Sequence, residues 1–164
     1  MDETQVYVGT YAKYNDGSIA GKWLTLSDYA DRGEFIEACK KLHSDEADPE
    51  LMFQDRQGAA SRAISECEVP EVFWEFLELE ESDKEIVEAW MEAMSADLQE
   101  AMETGLENFY GSYDNETDFG EQLLEGTDRV PPHLEGYIDF ERYGNDHLTG
   151  FSHGYYKNRL WVWF

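Results

Sequence analysis

Hydrophobic and polar positions at the start of the chain follow the short period of a strand. Gln5-Val6-Tyr7-Val8-Gly9-Thr10 is β-branched and aromatic, and Asn15-Asp16-Gly17 is a strong turn signal. Ile19 to Leu26, with Trp23, predicts a second strand. The period then lengthens: between Glu34 and Leu42, Phe35, Ile36, Cys39 and Leu42 fall at helical spacing. A loop from Ser44 to Pro49 leads to Leu51-Met52-Phe53, which reads as a returning strand. Residues 1–65 are expected to form a small N-terminal α+β domain.

Helical spacing dominates the middle. Pro70 suits a first helical turn, and Phe73, Trp74, Phe76 and Leu77 give the next segment an apolar side opposite Glu71, Glu75 and Glu78. Ser82-Asp83-Lys84-Glu85 has the form of a capping box. Beyond it Ile86, Val87, Trp90, Met94, Leu98 and Met102 step by three and four towards a stop at Gly105. One helix of about twenty residues, about 30 Å long, is predicted. Residues 66–107 are expected to be an acidic helical domain.

In residues 108–164, Phe119, Leu123 and Leu124 are spaced for a helix after the polar turn Asp114 to Asp118. Pro131-Pro132 is expected to open another, with Leu134, Tyr137, Ile138 and Tyr143 as its buried stripe. Phe151 to Tyr156 and Leu160 to Phe164, around Lys157-Asn158-Arg159, predict a terminal hairpin. The fold class is α+β, in three pieces with boundaries near residues 65 and 107.

Charge sharpens this picture. Residues 66–141 hold 24 Asp and Glu against Lys84 and Arg129, a net −22 out of −25 for the whole chain. Residues 142–164 are net +2, so the acidity is concentrated rather than spread as in a salt-adapted protein. At the density of duplex DNA, one charge per roughly 1.7 Å, 22 charges correspond to about 37 Å, or about 11 base pairs. The carboxylates that would stand in for phosphates are Glu71, Glu75, Glu78, Glu81, Asp83, Glu85, Glu88, Glu92, Asp97, Glu100, Glu103, Glu107, Asp114, Glu116, Asp118, Glu121 and Glu125. Such a surface repels nucleic acid and anionic membranes and attracts basic grooves. The plainer reading, a solvated charged skin, stays open at this point, as do an acidic adaptor or chaperone for a basic, histone-like protein and an enzyme built on a carboxylate pair.

Catalytic signatures are missing from the sequence. His43, His133, His147 and His153 have no metal-ligand spacing, and no Gly-rich phosphate loop or GxSxG elbow occurs. Glu66 and Glu68 flank Cys67 and make it a poor nucleophile. No catalytic residue, metal or cofactor is expected. Two isolated cysteines fit a reducing cytoplasm, and no apolar run is long enough to span a membrane.

Several blocks, taken together, resemble the ArdA antirestriction proteins of plasmids, transposons and phages. They are Val6-Tyr7-Val8, Tyr14-Asn15-Asp16-Gly17 and Gly21-Lys22-Trp23 near the start, then Phe109 to Asp114 with Asp118-Phe119. Leu123-Leu124-Glu125, Val130-Pro131-Pro132-His133-Leu134 and Tyr137 to Tyr143 follow in the family's order. The resemblance implies an elongated, dimeric DNA mimic of three small domains. Its partner would be the methyltransferase core of a type I restriction–modification enzyme, held in place of DNA. The same resemblance places an antirestriction motif and dimer contact at Leu123, Leu124, Asp128, Val130, Pro131, Pro132 and Leu134, within the C-terminal domain 108–164.

Overall fold

A computed structural model describes residues 3–127, 130–131 and 133–163. The fold is α+β, with two three-stranded antiparallel sheets and helices between and around them. β1 (Gln5–Thr10) is the centre of the first sheet, between β2 (Lys22–Thr25) and β3 (Leu51–Gln57). Its alternation buries Val6 and Val8 on the core side, while Tyr7 pairs in register with Trp23, ring edge to face at 5.5 Å. A short helix, α1 (Tyr11–Asn15), precedes the Asn15-Asp16-Gly17 turn, and Gly17 takes φ +80° as that turn requires. α2 (Arg32–Leu42) starts where Asp31 accepts a hydrogen bond from the Glu34 backbone N–H, and it buries Phe35 and Cys39, one turn apart.

The acidic middle is helical but broken. α3 (Val72–Glu78) buries Phe73 and Phe76, and α4 (Glu81–Met94) buries Ile86, Val87, Ala89, Trp90 and Met91. Ser82 is not the cap: extended Glu80 precedes the helix, so Ser82 already lies inside it and makes no cap bond. Nor does the helix run through to Gly105. It stops at Met94, because Ser95 turns left-handed (φ 55°), and restarts at α5 (Leu98–Glu100), capped by Asp97, before a π turn over Ala101–Gly105. Gly105 ends that turn, and it is glycine for a packing reason: a Cβ there would run into the Trp90 side chain.

The second sheet is ordered β4 (Phe109–Ser112), β6 (Arg159–Trp163), β5 (Ser152–Tyr156). β4 was not expected; with only four residues it has too short a period to read. β5 and β6 form the predicted hairpin, turning on Lys157 (φ 46°) and Asn158 (φ 62°), the pair of positive φ values that a two-residue type I′ turn demands. α6 (Glu116–Thr127) and α7 (Phe140–His147) pack so closely that a Cβ on Gly120 would collide with the Phe140 carbonyl. The helix expected after Pro131 is replaced by a single 3-10 turn, Glu135–Tyr137, and α7 begins only at Phe140, capped by Asp139. Leu134 and Tyr137 are accordingly exposed rather than buried.

Two apolar cores result. The larger runs from Val6, Val8 and Phe35 through Phe53, Phe73 and Phe76 to Trp90, Leu98 and Trp161, so the inner faces of the acidic helices share it with the first sheet. The smaller joins Phe119, Leu148 and Leu160, with Tyr113, Leu123, Tyr155 and Val162 against it. Leu160 and Trp161 are adjacent on β6, and the period of the strand sends one to each core.

Candidate functional site

The carboxylates sit where the helical periods put them, opposite the buried stripes. On α3, Glu71, Glu75 and Glu78 are exposed; beyond the break, so are Asp97, Glu100, Glu103 and Glu107; on α6, so are Glu116, Glu121 and Glu125. Among the described residues none of these ten faces a cation within ion-pairing distance. Glu71 and Asp97 line one hollow with Pro70 and Leu98, so the acids of α3 and of the α5 turn adjoin. Asp97 and Glu103 have local roles, Asp97 capping the Glu100 N–H at 2.9 Å and Glu103 accepting from Gln99. Near the start of α6, Asp114 accepts from Asn158. The half-exposed Asp118 carboxylate accepts from Gln122 and the Asp114 N–H, and the first of these chiefly holds its pKa below the usual carboxylate range.

α4 is different. Glu81, Glu85, Glu88 and Glu92 step along one face by four, three and four, yet this stripe meets positive charge. Arg159 Nη2 lies 2.8 Å from Glu85 Oε2, and Lys157 donates to Glu92. Glu88 accepts from the Ala60 N–H, and its backbone carbonyl from Arg62 at 3.2 Å. Glu81 pairs with Lys84 at 3.0 Å, and Asp83 is half-exposed. The Lys157 hydrogen bond lowers the Glu92 pKa, and Glu92 raises that of Lys157. Glu85, Glu88, Glu92, Arg62, Lys157 and Arg159 line an open cleft of about 390 Å³ between the hairpin turn, α4 and the segment after β3. The sequence gives no local sign of such pairs, because Glu85 and Arg159 are 74 residues apart. The net positive charge of residues 142–164 was the one hint of an internal counter-charge. Replacing Lys157 and Arg159 together by glutamine is expected to lower the urea midpoint at low salt and to matter much less at molar salt, where screening removes the bared repulsion along α4. Equal midpoint shifts at both salts would show that Lys157 and Arg159 do not act through their charge.

Of the residues placed in the antirestriction motif, Leu124 is buried and Leu123 half-buried against the smaller core. Val130 is half-exposed, Pro131 and Leu134 exposed, and Asp128 and Pro132 lie outside the described residues. Neither thiol is placed for chemistry: burial pushes Cys39 up to about 12, and Cys67 stands exposed between its glutamates. His43, fully buried, is a structural histidine: its Nε2–H donates to the Val8 carbonyl at 3.2 Å and its Nδ1 takes a bond from Lys13 at 2.8 Å.

An acidic shell over two apolar cores is what comparison with known families has to match. A family model described as antirestriction protein (ArdA) matches residues 6–157, nearly the whole chain. The chain belongs to the ArdA antirestriction family. No curated protein matches it. Membership of ArdA implies an antirestriction function and, as the class of partner, a restriction–modification enzyme. ArdA is not known as an enzyme family. Among the described residues no helix is long and apolar enough to cross a membrane.

Proposed function

We propose that this ArdA protein is a DNA mimic that occupies the DNA-binding groove in the methyltransferase core of a type I restriction–modification enzyme. The observation that carries the reading is the ten outward carboxylates of α3, the α5 turn and α6, held without a counter-charge among the described residues on helices whose other faces are locked into the cores. Fixed, unneutralised charge costs folding stability through self-repulsion, and a cationic groove relieves it on binding. The paired glutamates of α4 contribute less to such a surface than the unpaired ones. With this reading go an elongated layout of three pieces, a homodimer joined through the C-terminal part, residence in the cytoplasm and carriage on mobile elements. A dimer contact through the aromatic tail would need its rings free of the chain's own core. Trp161, however, is taken up inside the chain's own core and Trp163 packs edge-on to Trp90 at 6.0 Å, which leaves the exposed residues of the C-terminal part to make any contact between copies.

The test is competition. A type I methyltransferase core is loaded with fluorescent cognate duplex and titrated with this protein at two salt concentrations. Stoichiometric release of DNA, weakening as salt rises, is the expected result. A folded protein that releases no DNA at either salt would overturn the reading, and would leave an acidic adaptor for some other basic protein in its place.

A further inference from the structure

Tyr137 is the most exposed large hydrophobic side chain described, at 88%, with Leu134 beside it at 45%. The backbone beneath it is hydrogen-bonded. Leu134 N–H donates to the Pro131 carbonyl at 2.8 Å, Tyr137 N–H to Leu134 at 3.0 Å and Ile138 N–H to Glu135 at 3.2 Å. The phenol ring itself has no hydrogen bond, ion pair or ring neighbour among the described residues, whereas Tyr7, Tyr29, Tyr110 and Tyr113 each pack edge-on to another ring. Its surroundings are anionic: Glu135, Asp139 and Glu141 are exposed, and residues 133–141 contain no Lys or Arg.

An aromatic face between carboxylates has the two properties that nucleic-acid surfaces read without regard to sequence, a π-face to stack on and negative charge beside it. Charge also discriminates between occupants. A second copy seated here by two-fold symmetry would bring the same patch onto itself, and with it Glu135, Asp139 and Glu141 against their own equivalents. A cationic partner meets no such penalty, and a guanidinium can lie over the ring while its edge bonds a flanking carboxylate.

We propose that Tyr137 is the base-like element of the acidic surface, stacking on an arginine of the restriction–modification enzyme's nucleic-acid groove while Glu135 and Asp139 take the place of the neighbouring phosphates. This deepens the DNA-mimic reading and rests on it.

The experiment repeats the fluorescent-duplex competition with Tyr137→Ala and Tyr137→Phe, alongside sedimentation of each variant and a thermal melt. Tyr137→Ala should melt as the wild type does, because the side chain is almost wholly exposed. It should need about 10-fold or more protein for half-displacement, in line with the loss of one stacked ring, with the salt slope unchanged because no charge is lost. Tyr137→Phe keeps the ring and should displace DNA as the wild type does. Undiminished displacement by Tyr137→Ala would overturn the proposal. So would a loss that accompanies dissociation of a dimer in the sedimentation run, which would assign the ring to a contact between copies. Failure of the wild-type protein to release DNA is a separate result, and overturns the mimic reading beneath.

Discussion

Replacing Trp161 by alanine is expected to cost about 3–5 kcal/mol of folding stability, a large share of the roughly 5–15 kcal/mol that holds a typical domain together. Trp161 is 2% exposed and lies edge-on to Trp90 at 5.5 Å and to Phe109 at 6.0 Å. Its indole N–H donates to the Gly105 carbonyl at 3.0 Å, across 56 residues of sequence. Truncation therefore leaves both a cavity and a buried carbonyl without its donor. Trp161→Phe keeps a ring and loses the hydrogen bond, and should fall between the two. Urea unfolding followed by circular dichroism at the amide band measures all three proteins. A wild-type midpoint for Trp161→Ala would mean that β6 does not dock on α4 in solution.

The second large effect is on binding. If Glu71, Glu75, Glu78, Glu100, Glu103 and Glu107 are replaced by glutamine two at a time, DNA displacement should weaken by about 1.5- to 5-fold for each carboxylate removed. The salt dependence should flatten with it. Folding stability should move the other way, because each replacement relieves repulsion among carboxylates that meet no counter-charge among the described residues. That opposition separates the reading from simple damage, which would lower binding and stability together. An all-or-none loss from any one of the six would point to a single chemical role and sink the distributed picture.

How much of this was legible beforehand depends on the range of the forces involved. β1, α2 and the β5–β6 hairpin are set by neighbours within a few residues, and their signals (alternation, the Phe35 to Cys39 step, Lys157-Asn158) are there in the sequence. The side of each acidic helix that faces water follows from the same local periods. The break at Ser95 does not. Apolar steps continue through Met94 and Leu98, and the break goes with a contact that the local period does not encode, Gly105 against the Trp90 side chain. The expected stripe of Leu134, Tyr137, Ile138 and Tyr143 does not form, because the chain uses the stretch after Pro131 as a connection between α6 and α7, with Leu134 and Tyr137 exposed. The partition of the acids into bare and paired was beyond local reading, since Arg159 and Lys157 reach α4 from the far end of the fold.

The order of strands in the second sheet governs when this protein becomes whole. β6 is the centre strand, and both of its neighbours are synthesised before it. β4 must wait through α6 and α7 with its hydrogen-bonding groups unclaimed, and Trp90 waits for the ring that will cover it. Such late pairing is slow and leaves open edges exposed to other chains. The stretch in between is net negative, and like-charged copies repel one another during the interval in which their unpaired strands could otherwise join.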